Sequence, residues 1–353
     1  MMRKEYLELY TDYLIASFGK TTATGLSELL EGEISHDKIT RFLSKEDYSS
    51  KELWQLVKKE VRKIEEEDGV LIFDDTVQGK PYSKESDLIC WHYDHTFNRN
   101  MKGINLLNCV YHANGVSLPI AFELIKKPIQ FSDLKTKKRK RKSEVTKNEL
   151  LREMLKTCQH NQVKWRYLLA DSWFASSENM NYVHKTLKKY FLLALKSNRL
   201  VALSEKAKKE GCTTRIDALD WKEGKPIEGW IKGLEFPVLL HRQIFTNKDG
   251  SIGILYLISN DLDLTTTKME TIYQKRWNVE VFHKNIKSNT ALAKSPTSTI
   301  RTQSNHIFMS IYASAKLEIL AIKENMNTFA LRAKLYISAL KTAFFELREL
   351  KLA

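Results

Sequence analysis

The chain has 353 residues, 42% of them hydrophobic, and a formal charge of +14, so it can bury at least one large core and is too apolar for a disordered chain. The positive balance points to a polyanionic partner, most commonly nucleic acid. The longest apolar runs, such as 191–195, fall far short of the ~20 residues a membrane span needs, the N-terminus MMRKEYLELY has no apolar signal core, and the four scattered cysteines form no CxxC pair, so a soluble cytoplasmic protein with no membrane partner is expected.

Residues 1–66 read as helical. Within 22–43, two short helical patterns break near Gly32, and Ser35 is an N-cap for the second. This fits a helix-turn-helix whose second helix carries His36, Asp37, Lys38, Thr40 and Arg41 toward a DNA groove, and it also fits a plain helical hairpin. Ser49 and Glu52 form a capping box ahead of an amphipathic helix marked by Leu53, Val57, Val61 and Ile64, which ends in an acidic linker at 65–68. Val70-Leu-Ile-Phe-Asp-Asp75 reads as a buried strand, and VQGKPYS after Thr76 as a loop. Cys90, His92 and His95 suggest a metal cluster, but no second cysteine pair completes a zinc site. Runs at 106–111 and 116–124 flank Asn114-Gly115, a hairpin signal, and with the first strand give a three-stranded antiparallel start to a sheet. The run KTKKRKRK at 135–142 holds Lys138, Arg139 and Arg141 and reads as a mobile arm for DNA phosphates or as a solvated loop.

A helix at 148–157 precedes the strand Tyr167-Leu-Leu-Ala-Asp171, followed by an amphipathic helix at 178–187 and a strand at 191–195. Residues 199–268 turn rich in Gly and Pro, with strands at 236–240 and 252–258, before helices at 272–287, 303–322 and 328–352. In IYQKRWNVEVFHKNIK at 272–287, Tyr273, Arg276, Glu280 and Lys287 lie at offsets of three, seven and fourteen. At about 100° per residue they share an arc of roughly 60°, beside an apolar stripe of Ile272, Val279, Phe282 and Ile286. Two strand-borne aspartates and a helix-borne glutamate form the ligand set that holds a pair of Mg2+ ions for phosphoryl transfer, since carboxylates are costly to bury unless paired or metal-bound.

The spacing Y-x2-R-x3-E-x6-K, preceded by the two strand aspartates, resembles the signature of bacterial DDE insertion-sequence transposases, in particular the insertion sequence four family, over roughly residues 68–325. The resemblance implies an α/β fold: an RNase H-like (retroviral integrase-like) catalytic core over 67–325, a β-rich insertion at about 199–268, a helical DNA-binding region at 1–66 and a helical region at 326–353. It implies Asp75, Asp171 and Glu280 as catalytic ligands of two Mg2+ ions, with Mn2+ able to substitute. Asp75 is preferred to Asp74 because the family pattern is Asp followed by Thr, met by Asp75-Thr76, and strand alternation lets only one neighbour face the site.

Tyr273, Arg276 and Lys287 would touch the phosphate near the cut, or Arg276 and Lys287 would only neutralise Glu280. In relatives a tryptophan of the insertion stacks on a flipped base; Ile254 stands where it is expected, leaving Trp230 or Trp221 to serve, each also readable as core. Lys38, Arg41, Lys138, Arg139, Arg141 and Trp230 complete the expected DNA contacts. The implied activity is cleavage of element ends and joining of the 3′-OH ends to target DNA, through a hairpin intermediate in relatives. The partners are double-stranded DNA, as terminal inverted repeats and target, and a second copy of the chain, in the bacterial nucleoid. The competing readings are a catalytically silent DNA-binding relative and an RNase H-like nuclease that hydrolyses without joining.

Overall fold

Side-chain caps set the first helix boundaries. The computed structural model describes residues 2–94, 98–134, 137–222, 224–297 and 299–351. It opens with α1 (Met2–Ala16), α2 (Ala23–Leu29), α3 (His36–Lys45) and α4 (Ser50–Ile64). The Thr22 hydroxyl accepts from the Gly25 amide to start α2, and the chain leaves that helix through Glu31 and Gly32, both at positive φ. Ser35 occupies the N-cap of α3 without a side-chain bond, whereas Ser49 and Glu52 make the full capping box of α4.

The remaining elements are β1 (Val70–Gly79), β2 (Cys90–Asp94), β3 (Arg99–Ala113), β4 (Val116–Leu124), β5 (Ile129–Ser132), β6 (Arg139–Lys142), α5 (Lys147–His160), β7 (Tyr167–Ala170), α6 (Ser177–Asn181), β8 (Tyr190–Leu195), β9 (Leu200–Val201), α7 (Glu205–Lys209), β10 (Thr214–Arg215), β11 (Ile227–Gly229), β12 (Val238–Thr246), β13 (Ile252–Ser259), α8 (Thr266–Gln274), α9 (Trp277–Ser288), α10 (Ile300–Lys323) and α11 (Thr328–Leu350). Nine strands form a central mixed sheet in the order β11-β12-β13-β8-β7-β1-β3-β2, with β4 also beside β3. β1 and β7, and β7 and β8, pair in parallel; the other neighbours are antiparallel. Val70, Leu71, Ile72 and Phe73 are fully buried because β1 is central and covered on both faces. Asn114 and Gly115, both at positive φ, turn the β3–β4 hairpin.

Three expectations are corrected. β1 runs on to Gly79, through residues read as a loop, because Val77, Gln78 and Gly79 find partners on β3. Arg139–Lys142 is a strand rather than an unstructured arm: pairing with Ile129–Ser132 supplies backbone bonds that outweigh like-charge repulsion at an exposed edge; Lys135 and Thr136 lie outside the described residues. Within the 199–268 stretch, β11, β12 and β13 extend the central sheet from β8. The helix expected at 272–287 is divided into α8 and α9.

The N-terminal helices share their core with the sheet through α10. Tyr10 of α1 bonds the buried His306 ring at 3.0 Å, and Tyr48 stacks on Phe308 at 4.4 Å. Asn305, fully buried, donates to Leu43 O at 2.8 Å and Glu46 O at 2.7 Å and accepts from the Tyr48 amide at 3.3 Å, so one side chain closes the end of α3. Asn305→Ala strands these groups and is expected to lower the unfolding free energy by about 2–4 kcal/mol in urea denaturation. A loss below about 1 kcal/mol would show that the helices hold without it.

Candidate active site

The register of β1 against β3 decides which acidic side chains meet. Asp74 lies opposite Asn108 and Thr76 opposite Leu106, so Asp74, Thr76 and Asn108 project from one sheet face. That face is covered by α9. The Lys287 ammonium donates to the Thr76 hydroxyl at 2.6 Å, and the Asn108 amide nitrogen lies 3.0 Å from His283 Nε2. Arg276 Nη1 lies 3.4 Å from Asp74 Oδ2, and both terminal guanidinium nitrogens lie 3.4 Å from Glu280 Oε1.

Asp75 points the other way. Its Oδ2 accepts from Lys147 at 2.7 Å and from the Asn105 amide at 2.9 Å. The carboxylate facing Glu280 is therefore Asp74 and not Asp75. The Asp-Thr pattern favoured Asp75, but the face is set by pairing with β3, which only the folded sheet supplies.

The division between α8 and α9 re-aims the helical residues. Around Lys275 and Arg276 the backbone bonds tighten to three-residue steps, Arg276 N to Tyr273 O at 2.9 Å and Val279 N to Arg276 O at 3.1 Å. Each such step turns ~20° further than an α-helical one. Tyr273 is only 8% exposed, its hydroxyl donating to Ala170 O at 3.3 Å and its ring 5.9 Å from the Arg276 guanidinium carbon. That bond braces the end of β7.

Ala170 pairs with Phe73, which carries Asp171 to the level of Asp74 on the adjacent strand. The Asp171 carboxylate accepts from the Trp173 amide at 3.0 Å, and burial and the charge of Asp75 push its carboxyl up. Asp74, Asp75, Asp171 and Glu280 line one cavity of about 720 Å³ with Arg276, His283, Lys284 and Lys287. Burial, with the charges of Glu280 and Asp171, pushes the Asp74 carboxyl up to about 8 despite Arg276.

Among the described residues, ligand atoms of Asp74, Glu280 and His283 lie within 4.8 Å of one another. Asp171 lines the same cavity outside that group. His283 had no role assigned from sequence; its offset of three from Glu280 was the available signal. Burial lowers its imidazole to about 3, so the ring is neutral at ordinary pH.

The other expected contacts lie elsewhere. Lys38 and Arg41 are exposed on α3, while Ile39, Phe42 and Leu43 face inward. Lys138, Arg139 and Arg141 belong to the β5–β6 hairpin, where Arg141 is tied to Glu85 at 2.9 Å. Trp230 is half-buried, bridged by backbone to Ala202, with Lys208 5.3 Å from its ring centre. Trp221 lies against Tyr256 and donates to Ile216 O, and Ile254 is exposed on β13. Cys90 and His92 are buried side by side with Sγ and Nε2 3.3 Å apart, and His95 lies outside the described residues.

The chain matches the family model described as DDE superfamily endonuclease over residues 1–214, and the one described as transposase DDE domain over residues 138–315. It belongs to the DDE transposases. No curated protein matches the chain. In this DDE transposase the first match holds Asp74, Asp75 and Asp171, and the second holds Asp171 and Glu280, so the two overlap over residues 138–214, which include Asp171. The central mixed sheet is consistent with a DDE nuclease fold.

The raised Asp74 carboxyl has a measurable consequence. Between the ordinary carboxyl range and about 8, the folded state binds this proton more tightly than the unfolded state, so stability from this group is present at low pH and falls as pH rises through that window. Asp74→Asn in the ion-free transposase is therefore expected to raise the thermal midpoint at pH 8, with the gain vanishing toward pH 4. An unchanged or lower midpoint at pH 8 would contradict the electrostatics described here.

Proposed function

We propose that this transposase cuts the ends of its own mobile element and joins the 3′-OH ends to target DNA, using divalent ions held by Asp74, Asp171 and Glu280. The observation that carries this reading is the convergence of Asp74 from β1, Asp171 from the end of β7 and Glu280 from α9 on one open cavity rimmed by Arg276, Lys284 and Lys287. The residues fit such ions. Oxygen donors predominate, the His283 ring is neutral, the Asn108 side-chain oxygen beside it is buried without a partner, and one guanidinium spans Asp74 and Glu280. Two Mg2+ ions, or Mn2+ in their place, would supply activation of the attacking oxygen and stabilisation of the leaving one.

Lys287 and Lys284 offer ammonium groups to the scissile phosphate, and Arg276 offsets the charges of Asp74 and Glu280. Lys147 pairs with Asp75 at 2.7 Å beside the same cavity. The order β4-β3-β1-β7-β8, three antiparallel strands followed by two in parallel, supports an RNase H-like core, and the Y-x2-R-x3-E-x6-K spacing supports kinship with the insertion sequence four family. Residues 1–66 would bind the element end through Lys38 and Arg41. Joining two ends requires at least a dimer on DNA, and α11, which exposes Leu335, Tyr336, Ile337, Leu340, Phe344 and Phe345, is the surface we assign to it.

The test is a labelled duplex carrying the ends that flank the gene, incubated with Mg2+ or Mn2+. Asp74→Asn, Asp171→Asn and Glu280→Gln should each reduce cleavage at least about a hundredfold while end binding in a gel shift stays within a few-fold. Asp75→Asn should cost about tenfold or less, through loss of the Lys147 pair. Full cleavage by Asp74→Asn would return the assignment to Asp75. Binding without cutting by the wild type would leave a silent binder, and nicks without joined product would leave a nuclease.

A further inference from the structure

A second cavity, of about 570 Å³, lies between β2 and the β5–β6 hairpin. Its lining combines two features that rarely occur together by chance. Trp91 and Tyr93, two residues apart on β2 and so on one face, are 55% and 47% exposed, while their neighbours Cys90 and His92 turn inward and are buried. Opposite them stand Lys138, Arg139, Lys140 and Arg141.

The groove is built rather than incidental. Arg141 fastens the hairpin through Glu85 at 2.9 Å and Lys127 O at 3.3 Å, and the Lys127 ammonium donates to Trp91 O at 2.7 Å. The Tyr93 hydroxyl donates to the Asn98 side chain, which fixes the ring. Tyr93 also lines the carboxylate cavity, so the two spaces share a wall.

We propose that this groove takes unpaired nucleotides of a DNA strand next to the cut, with a base stacked on Trp91 and Tyr93 and the phosphates held by the hairpin cations. The proposal rests on the DNA-cutting reading of the neighbouring cavity. Aromatic faces beside a basic track favour single strands over duplex, because only unpaired bases present a free face to stack. An exposed tryptophan and tyrosine otherwise gain nothing from solvent, and a core role is excluded by their exposure. Trp230, expected from sequence to stack on a base, is half-buried with its backbone bridged to Ala202.

The experiment uses the full chain carrying Glu280→Gln and a fluorescein-labelled single-stranded DNA decamer, read by anisotropy. Trp91→Ala and Tyr93→Ala should each weaken binding roughly 5- to 100-fold, the range expected for one lost stacking contact. Trp91→Phe should stay within about threefold, since a stacking face remains. Lys138→Ala with Arg139→Ala should lower the slope of log affinity against log salt by roughly one to two.

A duplex end should bind the Trp91 and Tyr93 variants within about twofold of the parent, which together with an unchanged thermal midpoint shows an intact fold. Decamer binding unaffected by both alanine variants would overturn the proposal, as would an RNA decamer of the same sequence binding tenfold tighter than the DNA. Because this assay reads binding in an uncatalytic background, a wild type that fails to cut would sink the cutting reading without imitating either result.

Discussion

One guanidinium stands among three carboxylates where β1, β7 and α9 meet, and the crowding of like charge there is what the surrounding structure must withstand. Carboxylates leave water at a cost unless they are paired or coordinated. Arg276 reaches Asp74 and Glu280 only at 3.4 Å, near the outer limit of a hydrogen bond, so it offsets their repulsion without locking them together. The holding falls to the scaffold. β1 is paired along its length on one side and at its buried start on the other, and α9 is seated by the buried Val279, Phe282 and Ile286. Carboxylates that burial penalises thus sit on or beside elements held by the sheet and the core.

Much of this was legible from residue order. The apolar run ending at Asp74 and Asp75, the run ending before Asp171, the Asn114-Gly115 turn and the Ser49–Glu52 cap are local signals, and each appears in place. What could not be read depended on distant pairing. Whether Asp74 or Asp75 faces Glu280 follows from the register with β3, formed by residues about thirty positions away. The charge of Arg139–Lys142 argued against order, and only its partner strand made it a strand. The tightened turns between α8 and α9 are likewise a change no helical wheel records.

The helical N-terminus illustrates the same limit at larger scale. Its caps and amphipathic stripes announce helices, yet they do not say what those stripes will lie against. α10, more than two hundred residues later, supplies Asn305, His306 and Phe308 to receive them. The N-terminal helices and the acidic cavity are thereby built on one continuous core.

Asp74 and its guanidinium partner are separated by 202 residues of chain. A ribosome adding about 5–20 residues per second needs roughly 10–40 s between releasing the one and the other. Throughout that interval the nascent protein can pair β1 with β3 and later with β7, but α9 does not yet exist. Half-made copies, and copies cut short anywhere before residue 280, carry aspartates with no glutamate to complete the cluster. The order of synthesis itself therefore withholds the complete acidic cluster until Glu280 has been added.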